Sequence, residues 1–86
     1  MFNNFPKLND DINVILLSST IQYSNGLLYY GEWNQTNNQK HGRGILNWPE
    51  GLTYYGLFKM DNINGKGKII TPNGEEYEGD WIDNRC

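Results

Sequence analysis

Tyr29-Tyr30-Gly31-Glu32-Trp33, Tyr54-Tyr55-Gly56-Leu57-Phe58 and Tyr77-Glu78-Gly79-Asp80-Trp81 repeat one pattern, Tyr-x-Gly-x-aromatic. Tyr54 follows Tyr29 by 25 residues and Tyr77 follows Tyr54 by 23. A period of that size marks stacked supersecondary units. A second string recurs between them. Gly42-Arg43-Gly44-Ile45-Leu46-Asn47-Trp48-Pro49-Glu50-Gly51 aligns without a gap on Gly65-Lys66-Gly67-Lys68-Ile69-Ile70-Thr71-Pro72-Asn73-Gly74. Tyr54 and Tyr77 each come three residues after the last of these glycines. The two extra residues of the first unit fall in the polar stretch 34–40, where a loop absorbs them cheaply.

Alternation sets the secondary structure. Tyr29, Gly31 and Trp33 share one parity, and Tyr30, Glu32 and Asn34 the other; Tyr77, Gly79 and Trp81 stand against Glu76, Glu78 and Asp80. Period two predicts half-buried strands with one aromatic and one acidic face. Gly44, Leu46 and Trp48, and then Gly67, Ile69 and Thr71, predict the matching second strands. Pro49-Glu50-Gly51 and Pro72-Asn73-Gly74 supply turn chemistry between them. The fold class is therefore all-β, a single-layer twisted antiparallel meander of β-hairpins.

Gly31, Gly42, Gly44, Gly56, Gly65, Gly67 and Gly79 are read as structural repeat positions. Glycine weakens a strand interior unless something needs the space. Gly56, between Tyr54 and Phe58 on its own face, leaves room for a ring to lie flat over the backbone. The aromatic residues then form a structural ladder, and a one-layer sheet also leaves part of that face available to a partner.

The same ruler extends upstream. Asn25-Gly26 precedes Tyr29 as Asn73-Gly74 precedes Tyr77, Ile21 falls where Leu46 and Ile69 fall, and Ser19 takes the place of Gly44 and Gly67. The expected division is a polar tail with a short capping strand over 1–18, then a repeat sheet over 19–86. Within the sheet lie a half repeat (19–28), repeats 29–53 and 54–76, and a partial repeat 77–86 that stops at Cys86. Residues 12–17 read as the capping strand. An atypical terminal unit is the usual way to close a repeat stack.

This pattern resembles the MORN repeat family (membrane occupation and recognition nexus). Tyr29, Gly31, Trp33, Lys40, His41, Gly42, Gly44, Trp48, Pro49 and Gly51 carry the resemblance in the first unit. Tyr54, Gly56, Phe58, Gly65, Gly67, Pro72 and Gly74 carry it in the second, and Tyr77, Gly79 and Trp81 in the third. Asn64 departs from the family's usual histidine and Thr71 from its Trp. The resemblance implies a non-catalytic interaction module or scaffold in a larger assembly, in the cytoplasm. The settings it implies are cytoskeletal or ciliary, such as axonemal radial-spoke heads or protist cortical scaffolds. It also implies two alternatives, a phosphoinositide-associated membrane module and a regulatory fragment of a MORN-bearing enzyme; the stop at Arg85-Cys86 fits the fragment.

Composition narrows the classes. With 86 residues and 37% apolar content the core is thin, while 14% aromatics supply large rings, so a partner is expected to bury what the chain cannot. A net charge of −3 with seven Lys and Arg, none clustered, argues against nucleic acid. The same count makes membrane lipid a weak partner, although Lys40, Arg43, Lys66 and Lys68 come from equivalent loop and strand starts. The lone Cys86 excludes an internal disulfide and fits a reducing compartment. No secretory or mitochondrial leader is read in residues 1–11, and Val14-Ile15-Leu16-Leu17 is too short to span a bilayer.

No catalytic, cofactor-binding or metal-binding residues are expected. His41 is the only histidine and reads as a loop or packing residue. An EF-hand with Gly65 at its sixth position would start at Met60 and end at Thr71, neither a carboxylate. The Gly-x-Gly strings lack the following helix that a phosphate cradle needs. The expected partner-binding residues are Glu76, Tyr77, Glu78, Asp80 and Trp81 along an open edge strand, with Trp33, Trp48 and Phe58 on the aromatic face. The acidic strand reads either as a solvated face or as a docking strip for a basic partner.

Overall fold

The computed structural model describes residues 13–85. Seven strands form one antiparallel sheet: β1 (Val14–Leu16), β2 (Ile21–Gln22), β3 (Leu28–Asn34), β4 (Gln39–Asn47), β5 (Thr53–Lys59), β6 (Asn62–Ile70) and β7 (Glu76–Trp81). The order across the sheet is β1-β3-β4-β5-β6-β7, and β2 also pairs with β3. There is no helix among the described residues, so this is the all-β meander of hairpins that the alternation predicts.

One closed turn recurs at the same step of each unit. The Trp48 and Thr71 amides donate to Leu52 and Glu75 carbonyls at 2.9 and 2.8 Å, and the Gly51 and Gly74 amides donate back to Trp48 and Thr71. Upstream, Tyr23 donates to Leu27 at 2.8 Å and Gly26 donates to Tyr23. Ile21 pairs with Tyr29 as Leu46 does with Tyr54. Within the stretch 12–17, β1 (Val14–Leu16) pairs with the other half of β3; residues 1–12 lie outside the described range.

The opposite ends of the hairpins differ in length. β5 and β6 are joined by Met60 and Asp61, both at positive φ (49° and 74°), a two-residue type I′ geometry that matches strand twist. β3 and β4 are joined by residues 35–38, so the two extra residues of the first unit lie in that loop.

Strict alternation fails at one position per hairpin. The register runs Gly31↔Gly44 and then Trp33↔Lys40, and again Gly56↔Gly67 and then Phe58↔Ile63. The extra residues form a bulge that re-aims the neighbouring side chains. Glu32, placed on the acidic outer face by parity, is instead buried at 5% exposure, and Leu57 at the equivalent place is buried too. Glu32 Oε1 accepts from the Arg43 amide at 2.7 Å and from Arg43 Nε at 3.0 Å, which offsets much of the cost of desolvating a carboxylate. Gly42 and Gly65 (φ 92° and 103°) make this possible: a Cβ there would lie 2.6 Å from Glu32 Oε1 and 3.1 Å from Leu57 Cδ1.

The core is a ladder of rings on the other face. Tyr29 and Phe58 meet edge-to-face at 5.3 Å, Phe58 and Tyr54 at 5.2 Å, and Tyr54 and Trp81 at 5.9 Å. Trp33 closes the near end, tilted on Tyr29 at 6.1 Å, while Leu46 and Ile63 fill between the rings. Each such pair contributes about 1 kcal/mol beyond its buried area, which helps a one-layer sheet this small to hold together.

Candidate interaction surface

The tyrosine of each unit is placed by glycines on the strand that follows it. Tyr29 lies over Gly44 and Tyr54 over Gly67; a Cβ on either glycine would come 2.5 Å from the ring Cε1. Across the ring, the hydroxyls of Tyr29 and Tyr54 donate to the Glu32 and Leu57 carbonyls at 2.5 and 3.0 Å. Both rings are fully buried, and burial raises both phenol pKa values, that of Tyr54 to about 12.

Tyr77 repeats the residue without its surroundings. No strand among the described residues pairs with the outer edge of β7, so no glycine faces the ring and 54% of it is exposed. Its hydroxyl donates to Glu75 Oε2 at 3.3 Å instead of to a carbonyl three residues on. Glu76, Glu78 and Asp80 alternate with it on an exposed strand.

The other residues expected at an interface lie deeper. Phe58, 1% exposed, is the centre of the ring ladder, and Trp81, 9% exposed, packs on Tyr54 and donates Nε1–H to the Gly67 carbonyl at 3.3 Å. These two are core residues, which corrects their assignment to a partner surface: edge-to-face stacking seals the ladder from within. Trp33 and Trp48 are half-buried against the same core. Gly31, Gly44, Gly56, Gly67 and Gly79 form one continuous cross-strand row. On the outer face, Tyr55, Lys66, Lys68, Glu78 and Asp80 wall a shallow groove of about 430 Å³ over the Gly67–Gly79 pair.

The cations do not gather into a free patch. Lys40 pairs with Asp61 at 3.1 Å, Arg43 with Glu32 at 3.0 Å, Lys66 with Asp80 at 3.7 Å and Lys68 with Glu76 at 3.1 Å. The hydrogen bond that the Lys68 ammonium donates to Glu76 raises the Lys68 pKa. His41 Nδ1 accepts the Met60 amide at 3.3 Å, a bond that supports the β5–β6 turn. Among the described residues no cluster of three or more His, Cys, Asp or Glu could hold a metal ion.

Two positioning residues escape a reading of the aromatic phrase alone. Asp61 Oδ1 accepts the Lys40 amide at 2.8 Å while the Asp61 amide donates to the Lys40 carbonyl. Asn84 repeats both bonds on Ile63, at 2.8 and 2.9 Å. Asp83 and Asn84 also repeat the positive φ values of Met60 and Asp61, so the chain turns at Ile82–Arg85 back toward the outer edge of β7. The signal for this clamp is the recurrence of Asp and Asn 23 residues apart, the spacing of Tyr54 and Tyr77.

The sequence model of the MORN repeat matches residues 29–53, 54–76 and 77–86, more than half of the chain. The chain belongs to the MORN-repeat family. It is similar to Alsin of Homo sapiens, 36% identical over 58 residues, a match that takes in 62% of this chain and 3% of Alsin. The inactive protein tyrosine kinase pTKL of Plasmodium falciparum is 37% identical over 57 residues, with 66% of this chain and 4% of that protein matched. The ALS2 C-terminal-like protein of Mus musculus is 32% identical over 62 residues, covering 66% of this chain and 6% of its own length. The MORN segment thus spans only a few per cent of these relatives.

Proposed function

We propose that this chain is a non-catalytic protein-interaction module, a small MORN-repeat subunit or scaffold that docks into a larger assembly by its β7 edge. The observation that carries the reading is the difference between identical residues: Tyr29 and Tyr54 are fully buried, and Tyr77 is 54% exposed on a strand that is the sheet's edge among the described residues. An edge strand with a large exposed ring is the arrangement that a partner strand completes. Tyr77, Glu76, Glu78 and Asp80 make the docking edge, and Trp33 and Trp48 border the aromatic face. The assembly proposed, on the family resemblance, is a cytoplasmic one of cytoskeletal or ciliary type.

Ion pairing of Lys40, Arg43, Lys66 and Lys68 favours a protein partner over an anionic lipid surface. The test is a pull-down of the tagged chain from its own cells in rising salt, run beside a folded Tyr77→Lys variant. A fixed protein set that survives high salt with the native chain and disappears with the variant supports the reading. Release of everything at moderate salt, together with binding to anionic liposomes, would replace it with the membrane reading.

A further inference from the structure

We propose that Asn73 is a self-modification site: in the folded chain the Gly74 backbone nitrogen attacks its side chain, which is hydrolysed to aspartate and isoaspartate. The reaction needs only water and is independent of what docks at β7. Three asparagines precede a glycine: Asn25, Asn64 and Asn73. Glycine in that place leaves its nitrogen open, because no Cβ shields it. The nitrogen loses its proton to hydroxide and bonds to the asparagine Cγ. The Cγ–Nδ2 bond breaks, and the amide nitrogen leaves as ammonia with a proton from water, which restores the hydroxide. Water then adds to either carbonyl of the succinimide ring, giving aspartate or its β-linked isomer. One water enters and one ammonia leaves.

The three sites differ in what holds the glycine. Gly65 lies inside β6, paired with Trp81, and a Cβ there would lie 3.1 Å from Leu57 Cδ1. Asn25-Gly26 and Asn73-Gly74 occupy the same closed turn, with the glycine amide donating to the Tyr23 and Thr71 carbonyls at 3.0 and 2.9 Å. The attack requires that amide to be released, so the turn that opens more readily reacts faster. The asparagine side chains do not separate the two sites. Asn25 Oδ1 accepts the Leu27 amide, while Asn73 accepts from the Thr71 hydroxyl and donates to Glu75, all exposed bonds that water replaces at little cost.

Anchoring separates them. Tyr23 and Leu27 pack on the ring core, and a Cβ on Gly26 would lie 2.7 Å from Pro49 Cγ. The 71–75 turn carries Thr71 where the other two carry Tyr23 and Trp48, so it has no ring to hold it down. Asn73 and Gly74 are both exposed, and among the described residues nothing lies within 4 Å of a Cβ on Gly74. The product then alters the β6–β7 connection. A carboxylate at position 73 stands beside Glu75 and Glu76, and the β-linked isomer lengthens the main chain inside the turn that sets the Ile70↔Glu76 pairing. Conversion should therefore loosen the start of β7.

The test incubates the native chain at mildly alkaline pH. Conversion at each asparagine is read by mass on separated proteolytic peptides, with isoaspartate measured by isoaspartyl methyltransferase labelling. Asn73 is expected to convert at least about threefold faster than Asn25 and Asn64, and unfolding in urea should bring the three rates together. Amide exchange at the start of β7 should rise in the converted fraction. Pro49→Ala removes the atom behind Gly26 and should speed Asn25 alone, while a slow Asn64 in that variant reports that the sheet is intact. Equal rates at Asn25 and Asn73 in the folded chain, or a ranking that persists in urea, would overturn the proposal. An unchanged Asn25 rate in Pro49→Ala would overturn the anchoring that distinguishes the two turns.

Discussion

Tyr54 and Tyr77 occupy the same position in the same phrase, yet one is sealed and the other open. Tyr54 has a glycine strand beside it, Phe58 against one edge and Trp81 against the other, and a carbonyl for its hydroxyl. Tyr77 lacks the strand, and its hydroxyl turns to Glu75. In this sheet a residue's environment comes from the next unit more than from its own. Stability should therefore fall toward β7, because interior units are clamped from both sides and the last unit from one.

The largest effect should come from the ring ladder. Phe58→Ala removes the ring that bridges Tyr29 and Tyr54, and the loss should be about 4 kcal/mol in urea unfolding. Tyr77→Ala removes a ring of similar size and should cost about 2 kcal/mol or less, since 54% of that residue is exposed. Equal losses would break the contrast between the two regions.

The glycine row gives a second contrast. A Cβ on Gly56 would lie 2.5 Å from Gly67 Cα and 2.6 Å from the Lys66 carbonyl oxygen, backbone atoms that cannot move aside alone. Gly56→Val should cost about 3 kcal/mol or more by overpacking. Gly79 holds the equivalent place in β7 and has a neighbouring strand on one side only. Gly79→Val should cost about 1 kcal/mol or less, read by the same unfolding midpoints; a larger loss would mean that the β7 edge is already covered.

Much of this was legible in the sequence, for physical reasons that differ by element. The period, the alternation and the Pro-x-Gly turns are local, and they yield the hairpins and the turns at Trp48 and Thr71. The bulge is not local. It comes from how two strands of unequal length are brought into register, so parity alone did not show that Glu32 is buried. Burial of Phe58 and Trp81 was hidden for a similar reason: the rings shield one another across strands that the phrase itself does not mention. The exposure of Tyr77, Glu76, Glu78 and Asp80 follows from strand order, which the count of repeats supplies.

Alkaline pH should open the buried units. Burial raises the Tyr54 phenol to about 12, so between pH 10 and 12 the unfolded chain releases a proton that the folded chain keeps. The contribution is whole below pH 10 and is lost as pH rises through the folded value. The slope is up to about 1.4 kcal/mol per pH unit for this one group. Tyr29, shifted in the same direction by burial and by Glu32, adds to it. Urea unfolding at pH 9 and 11 measures the slope, and Tyr54→Phe should flatten part of it. An unchanged slope in that variant would place the titration elsewhere.

The smallest effect concerns single hydroxyl groups and probes the closure of the rings most directly. The Tyr54 hydroxyl is buried and donates to the Leu57 carbonyl at 3.0 Å, so Tyr54→Phe leaves that acceptor without this donor and should cost about 1 kcal/mol at neutral pH. Tyr77→Phe removes an exposed bond to Glu75 at 3.3 Å and should change stability by less than about 0.5 kcal/mol. Equal losses at the two positions would mean that the Tyr77 hydroxyl is closed off as that of Tyr54 is, and the contrast between β5 and β7 would not extend to their rings.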